Sequence, residues 1–366
     1  MTAAGPVGVA GASARAAAGS LRRAGFAAWA VDLFADRDLR RVAACARCPL
    51  DHYPDAIPGL CDGFPPGPVL YTGGLENHPE VVRELARRRP LWGNGPGVLD
   101  RVRDPFRLYA ALATEFPVPR LVPPGGAVPG EGRWLRKPRG SSAGFGIRPA
   151  RAGEVVPGTH YVQEFIDGPA LSAVFTDAGL FGVSEQLAGV PWLHAGEFAY
   201  AGSVATEPSP LLSNDLRRLG RALATAFDLC GVWNVDFILR DGVPYPVEVN
   251  PRYSASVEVL ELANGTAVFN ARAGNRTTAR SVGKGVYFAP HRHSLPPAGP
   301  WDADLAGDFD PWRVPGFADI PDPGEVTEAG APVVTIFATG STPADCRAKL
   351  VDRAARLDQL FAEQRP

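Results

Sequence analysis

Lysine is nearly missing from this chain. Only Lys137, Lys284 and Lys349 occur among 366 residues whose Lys and Arg together number 37. Where arginine supplies almost every positive charge, a retained lysine marks a position that wants a compact ammonium rather than a planar guanidinium. Lys349 lies on a polar helical stretch and reads as surface decoration. No apolar run reaches the length that crosses a bilayer, which excludes a membrane-spanning helix. The formal net charge of -2 gives neither nucleic acid nor an anionic membrane a reason to bind. Residues Met1 to Pro6 lack the basic start and continuous apolar stretch of a signal peptide. Five cysteines without an even framework fit the reducing cytoplasm. Cys45-Ala-Arg-Cys48, with His52 and Cys61 nearby, lacks a second ligand pair at finger-like spacing and reads as ordinary thiols, not a zinc site. What remains is 45% hydrophobic and 21% charged, the composition of a globular protein of two or three domains.

The chain opens as strand, helix, strand: Val7 to Ala12, Arg15 to Ala24, and Ala27 to Val31, ending at Asp32. The turn Gly8-Val-Ala-Gly11 is not the Gly-x-Gly-x-x-Gly fingerprint, so the expectation is a Rossmann-like scaffold without a dinucleotide. A strand up to Gly73-Gly74, a helix from Pro79 to Arg89 and a helix from Asp104-Pro105 to Phe116 follow. Pro117 to Glu131 is rich in Pro and Gly and reads as a linker. Strands are expected at 134–137, 161–165, 170–175 and 180–185, and an amphipathic helix at 217–229. A hairpin over 324–337 and a helix over 343–364 close the chain. His291 and His293 are expected at the surface.

Two segments carry chemistry. In Asn234 to Arg252, alternating residues from Val235 to Leu239 and from Tyr245 to Val249 flank a turn, which makes a β-hairpin. Glu248, Asn250 and Arg252 then share one face. Asp236 joins them if the turn has an odd number of residues, and Arg240-Asp241-Gly242 with a left-handed Gly242 suits a three-residue loop. Hard oxygen donors at this density suit a divalent cation on nucleotide phosphates, and an adjacent Arg suits a phosphate or carboxylate. The second segment, Trp134 to Ile147, is a strand presenting Lys137 and then a loop with Gly140, Ser141, Ser142, Gly144 and Gly146. Its backbone N–H groups can close around phosphate oxygens. The lysine precedes the glycines, so this is not a Walker loop. Between the two lies Tyr161-Val-Gln-Glu-Phe-Ile-Asp-Gly168, a strand running into a turn.

The order of these parts resembles the ATP-grasp superfamily. The resemblance implies an α/β and α+β protein with a Rossmann-like domain over residues 1–103. An ATP-grasp fold over 104–285 would follow, two α+β lobes gripping ATP with a lid near 120–165, and then a hairpin-helix extension over 286–366. It implies that Lys137 touches the α- and β-phosphates and that Gly140, Ser141, Ser142, Gly144 and Gly146 close over the triphosphate. Gln163, Glu164, Phe165 and Ile166 would meet adenine and ribose. Asp236, Glu248 and Asn250 would hold Mg²⁺, with Mn²⁺ as an alternative, and Arg252 would face the transferred phosphate. One departure is visible: the lysine that many members carry near the start of this domain is replaced, Asp104 being followed by Pro105, with Arg103 and Arg107 as candidate substitutes. A looser similarity, through Gly11 to Arg15, Asp32 to Asp36, Tyr71 to Asn77 and Leu91 to Asn94, connects the whole chain with ATP-dependent carboligases related to biotin carboxylase. Some of those are tied to tetrahydromethanopterin and methanofuran one-carbon metabolism.

The activity so implied is an ADP-forming ligation of a small-molecule carboxylate to an amine through an acylphosphate. The substrate would be a small amino acid or a cofactor-biosynthesis intermediate of one-carbon metabolism, and the resemblance allows a homodimer. The alternatives are phosphoryl or carboxyl transfer, or a module that holds ATP without turnover. The acceptor is expected near Gly11 to Arg15, Gly73 to Asn77 and Arg252, residues that favour an anionic group. The general base is left open, with His194 as one candidate.

Overall fold

The computed structural model describes residues 5–269 and 281–362. The first four residues of the expected leaderless start, the stretch 270–280 inside the expected second domain, and the end of the expected last helix lie outside the described residues. No helix among the described residues is long and apolar enough to cross a membrane.

Strands β1 (Val7–Gly11), β2 (Ala28–Asp32), β3 (Ala44–Arg47) and β4 (Val69–Tyr71) form a parallel sheet in the order β3-β2-β1-β4. β1 and β4 are buried along their whole length, as expected of parallel strands covered on both faces. The chain steps outward from β1 to β3 and then returns to the far side of β1. Strand order therefore reverses between β1 and β4, the arrangement that opens a crevice at the carboxyl ends of the strands. Asp32 ends β2 where dinucleotide folds keep a ribose-binding acid. Here its carboxylate accepts from Ala14 N at 2.6 Å and from Phe34 N and Ala35 N at 2.7 Å, so backbone donors consume it.

Strands β5 (Leu121–Val122), β6 (Trp134–Pro138), β7 (Arg148–Pro149) and β8 (His160–Glu164) form a small antiparallel sheet, ordered β5-β8-β6-β7. It has its own core of Val122, Val128, Trp134, Val156 and Val162. The large sheet takes β9 (Ala170–Thr176), β10 (Gly179–Ala188), β11 (Tyr200–Thr206), β12 (Trp233–Arg240), β13 (Val243–Asn250) and β14 (Ser281–Phe288). A short ladder pairs β15 (His293–Ser294) with β17 (Val326–Thr327), while β16 (Phe317–Ala318) and β18 (Pro332–Gly340) return to the large sheet. Its order is β13-β12-β9-β10-β11-β14-β18-β16.

The helix Pro210–Phe227 begins seven residues before the expected amphipathic stretch, because Ser209 Oγ caps it by accepting from Leu212 N. It buries Leu212, Leu216, Leu219, Leu223 and Phe227 against the large sheet. Gly220 lets it approach: a Cβ there would lie 2.2 Å from the Phe175 ring. The expected hairpin over 324–337 does not form. Its first arm, Val326–Thr327, pairs with His293–Ser294, whereas Pro332–Gly340 pairs with Ser281–Phe288. His293 is buried rather than exposed, with its ring 4.1 Å from that of Phe361 on the closing helix Pro343–Ala362. Sequence reading also passed over the buried helix Ala255–Asn264, which joins the parallel sheet to the large one. Its Glu258 accepts from Arg15 at 2.5 and 2.9 Å and from Lys284 at 3.1 Å, and Arg15 also reaches Asp319 at 2.7 Å.

Candidate active site

The hairpin of β12 and β13 differs from the expected one in an instructive way. Arg240 pairs with Val243, so the turn has two residues, Asp241 and Gly242. Both are left-handed (φ 52° and 79°), as a type I′ turn requires. An even turn alone would set Asp236 across from Val247 and send its side chain to the opposite face. A bulge between Asp236 and Phe237 restores the parity, and Asp236 stands opposite Glu248, with Asn234 opposite Asn250. The two carboxylates therefore share a face through a β-bulge, a device that re-aims side chains next to functional sites.

Three amide groups fix Asp236. Gln186 Nε2 and Asn234 Nδ2 donate to its Oδ1 at 2.8 and 2.7 Å, and Asn250 Nδ2 donates to its Oδ2 at 3.0 Å. Burial pushes the Asp236 carboxyl up to about 7, and the Glu248 carboxylate opposite adds to the rise. Two opposed carboxylates and an amide, all oxygen donors at one point, fit a hard divalent cation, which would relieve that mutual repulsion.

Arg103 meets this face. It donates to Glu248, to Asn77 Oδ1 at 2.8 Å and to the Ser141 carbonyl at 2.8 Å. Burial would lower its pKa, yet Glu248 and Glu76 outweigh that and raise it. Arg107 instead lies at the surface with its side chain 64% exposed. Asp104 caps the helix Pro105–Leu112 by accepting from Phe106 N at 2.9 Å, which accounts for the Asp-Pro pair. Of the two candidate substitutes, only Arg103 reaches the hairpin.

On the other wall, Lys137 Nζ on β6 donates to Gln163 Oε1 at 3.2 Å, and Tyr109 Oη reaches the same oxygen at 3.1 Å. Glu164 faces away, paired with Arg120 at 3.1 Å, and Phe165 lies under the Arg133 guanidinium. Ile166 is buried. The loop over Gly140 to Gly146 bends over the cleft through left-handed Ala143, Gly144 and Gly146. Its tip is latched on two sides. Asn77 Nδ2 donates to Ser142 Oγ at 2.8 Å, Ser142 Oγ donates to Glu76 Oε1 at 2.9 Å, and Tyr200 N donates to the Ala143 carbonyl at 3.0 Å. Between loop and hairpin lies an open cleft, with Arg103, Lys137, Ser142, Tyr161 and Glu248 on its walls.

Arg252 completes the face. Its Nη2 donates to Asn250 Oδ1 at 3.1 Å and to Glu76 Oε1 at 2.5 Å. Burial pushes the Glu76 carboxyl up, but Arg252 and Arg103 overcome it and hold the pKa at about 2. Sequence reasoning had grouped Glu76 with the acceptor region without a role, and it missed Gln186 and Tyr109. His194 stands elsewhere. Its Nε2 is 2.7 Å from Asp358 of the closing helix, its ring lies edge-on to Tyr287, and its backbone is left-handed. That is packing of a loop against the C-terminal helix.

Residues 102–256 match the sequence profile of the ATP-grasp domain. The chain carries an ATP-grasp domain. The carbamoyl phosphate synthase large chain of Mesorhizobium japonicum is 40% identical over 76 residues, 21% of this chain and 6% of that protein. The present chain thus spans a small part of that relative's length. The L-amino acid ligase of Bacillus licheniformis superposes with a TM-score of 0.66 at 15% identity, covering 96% of this chain and 98% of the ligase. The biotin carboxylase domain of the Hydrogenobacter thermophilus 2-oxoglutarate carboxylase, solved with MgADP and bicarbonate, superposes at 0.65 with 14% identity, covering 93% of this chain and 87% of that one. At such identities the likeness speaks for the fold, which is mixed α/β with an ATP-grasp core.

Proposed function

We propose that this protein is an ATP-dependent, ADP-forming ligase that joins a small carboxylate to an amine through an acylphosphate. The observation that carries the reading is the single face of Asp236, Glu248, Asn250 and Arg252, set across an open cleft from Lys137 and the 140–146 loop. Asp236, Glu248 and Asn250 are the residues that would hold the divalent cation. Such a cation neutralises charge on the β- and γ-phosphate oxygens of ATP. Lys137 sits to receive phosphate oxygens, and Arg103 to take charge from phosphate once it leaves Glu248. Gln163 to Ile166 line the adenine end by the same analogy. The ligase and carboxylase names borne by the neighbours agree with this class of reaction.

In the reaction so assigned, a carboxylate oxygen attacks the γ-phosphorus and the β–γ bridging oxygen leaves with its electron pair as ADP. The amine nitrogen then bonds to the acyl carbon. The C–O bond to phosphate breaks, and phosphate leaves with the bonding pair and takes up the proton the nitrogen loses. Arg252 stabilises the group in transfer, and the latched loop excludes water from the acylphosphate. Residues 1–103 would supply the acceptor side, 104–285 the nucleotide grip and 286–366 a buttress. The five cysteines are all free thiols and fit the reducing cytoplasm in which we place the protein.

The test is ADP release with Mg²⁺ across pools of carboxylates and amines, for wild type and Glu248→Ala. The one-carbon assignment finds no support in the relatives named above, so the pools must be broad. ADP and a new amide, both lost in Glu248→Ala, are expected. Tight ATP binding with no turnover on any pool would reduce the protein to an ATP-holding module.

A further inference from the structure

Both serine hydroxyls of the 140–146 loop are already spent. Ser141 Oγ donates to the Phe145 carbonyl at 2.5 Å, inside the loop's own turn. Ser142 Oγ donates to Glu76 Oε1 at 2.9 Å. A hydroxyl carries one proton, so neither serine keeps one for a phosphate oxygen, and that task falls to the loop's backbone N–H groups. The Ser142 side chain has another use.

Its two partners are neighbours on the turn Leu75–Asn77 that follows β4. Each of them also holds one arginine of the site. Glu76 Oε1 accepts from Arg252 Nη2 at 2.5 Å, and Asn77 Oδ1 accepts from Arg103 Nη2 at 2.8 Å. Arg103 goes on to Glu248, and Arg252 to Asn250 Oδ1. Ser142 Oγ accepts from Asn77 Nδ2 at 2.8 Å and so bridges the two arms. Arg103 Nη2 also donates to the Ser141 carbonyl at 2.8 Å, which keeps the loop backbone beside the same arginine.

The donors in this chain can run in one direction only. A guanidinium cannot accept, so Arg103 draws the Asn77 oxygen toward itself and turns the amide nitrogen toward Ser142. Ser142 must then accept from Asn77 and give its proton to Glu76. Glu76 is 2% exposed, and Arg252 and Arg103 keep it ionised, so it accepts from both Ser142 and Arg252. Each member is fixed by its neighbour, and hydrogen bonds linked in this way strengthen one another. Without the Ser142 hydroxyl the chain falls into two separate arms.

We propose that Glu76 and Asn77 are positioning residues that aim Arg252 and Arg103 through Ser142, so that seating of the loop and placement of both arginines are one event. The ligase reading enters only in what the arginines act on. Under it, the seated loop excludes water at the moment Arg252 comes to face the group in transfer. Such coupling is reciprocal, so a change at Arg252 must be felt at the loop. Arg252 bonds to Glu76, Asn250 and the Tyr253 carbonyl, and its influence on the loop has to pass through Glu76.

The test is limited trypsin digestion of the full chain, without nucleotide. It follows cleavage between Arg139 and Gly140 at the base of the loop, where the Arg139 side chain is 45% exposed. Cleavage elsewhere in the chain gauges global opening. Ser142→Ala removes two hydrogen bonds and should speed the loop cut about 5- to 100-fold. Arg252→Met should speed it at least about twofold, the low end of coupling within one network, while Arg107→Met at the surface leaves it unchanged. Asn77→Asp keeps the acceptor for Arg103 but loses the donor to Ser142, so it should loosen the loop as well. In the Ser142→Ala background it should add less than about twofold. Ser142→Ala should also lower kcat for ADP release about 10- to 100-fold, the scale of a misplaced catalytic group. Should Arg252→Met fail to fold, Ser142→Ala, Asn77→Asp and their double variant still decide. A wild-type loop cut in Arg252→Met or Ser142→Ala overturns the proposal, as does a wild-type kcat in Ser142→Ala or full additivity in the double variant. The expected cleavage pattern with no ADP release from wild type on any pool sinks the ligase reading and keeps the coupling.

Discussion

Asp236→Asn should make the nucleotide-free protein more stable at alkaline pH while abolishing ADP release. Asp236 titrates near 7 in the fold because it is desolvated and faces Glu248, whereas an unfolded aspartate titrates near 4. Between those values the native state binds more protons than the unfolded chain, so stability falls as pH rises from about 4 to about 7. Three units at roughly 1.4 kcal/mol each set a ceiling of about 4 kcal/mol. Asp236 keeps partial contact with water, which trims the cost to about half. Asparagine keeps Oδ1 for Gln186 and Asn234 and loses at most the bond from Asn250, about 1 kcal/mol. The net expectation is a gain of about 1–2 kcal/mol at pH 8.5, or a few degrees in Tm. At pH 5 no gain or a slight loss is expected. Thermal melts at both pH values, without Mg²⁺ or nucleotide, read this directly. If Asp236→Asn is less stable than wild type at pH 8.5, the opposed carboxylates are not the burden the geometry implies, and the cation assignment loses its main physical support.

Arg103→Met should raise the KM for ATP about 10- to 100-fold, as expected when charge-assisted hydrogen bonds are removed, and Arg107→Met should leave it near wild type; steady-state ADP release separates them. Gly144→Ala should impair ATP use with little change in Tm. The residue sits at φ 77° and its Cβ would lie 1.9 Å from the Phe198 carbonyl oxygen, so the loop can no longer seat, and a wild-type KM for ATP would refute the latch. Glu258→Gln should cost about 3–5 kcal/mol in urea unfolding, because it strips a charge partner from both buried Arg15 and Lys284; an unchanged midpoint would show those cations to be otherwise satisfied.

Local order was legible because it is local. Apolar runs named β1, β2 and β4, and alternation named the β12–β13 hairpin together with the face of Glu248, Asn250 and Arg252. Alternation cannot see a bulge, however. The three-residue turn was inferred to bring Asp236 to the right face, whereas the chain uses a two-residue turn and corrects the parity at Val247. The same blindness hid the pairing of 324–337, whose two arms look like a hairpin but find partners thirty or more residues away.

The candidate site was harder to read for a deeper reason. Glu76 and Arg103 are ordinary charged residues beside ordinary turns, and their meaning lies in contacts 176 and 145 positions away, to Arg252 and Glu248. No window of sequence contains either pair. Arg15 makes the same point at longer range, reaching Glu258 and Asp319 across 243 and 304 positions. These ionic ties couple the parallel sheet to the hairpin and to the C-terminal strands. They share that work with Tyr71 and Asn94, whose side chains both donate to the Pro251 carbonyl at 3.1 Å. Loss of Glu258 should accordingly loosen the parallel sheet against the large sheet before it disturbs ATP binding, since Lys137 and the 140–146 loop hang from a separate sheet with its own core.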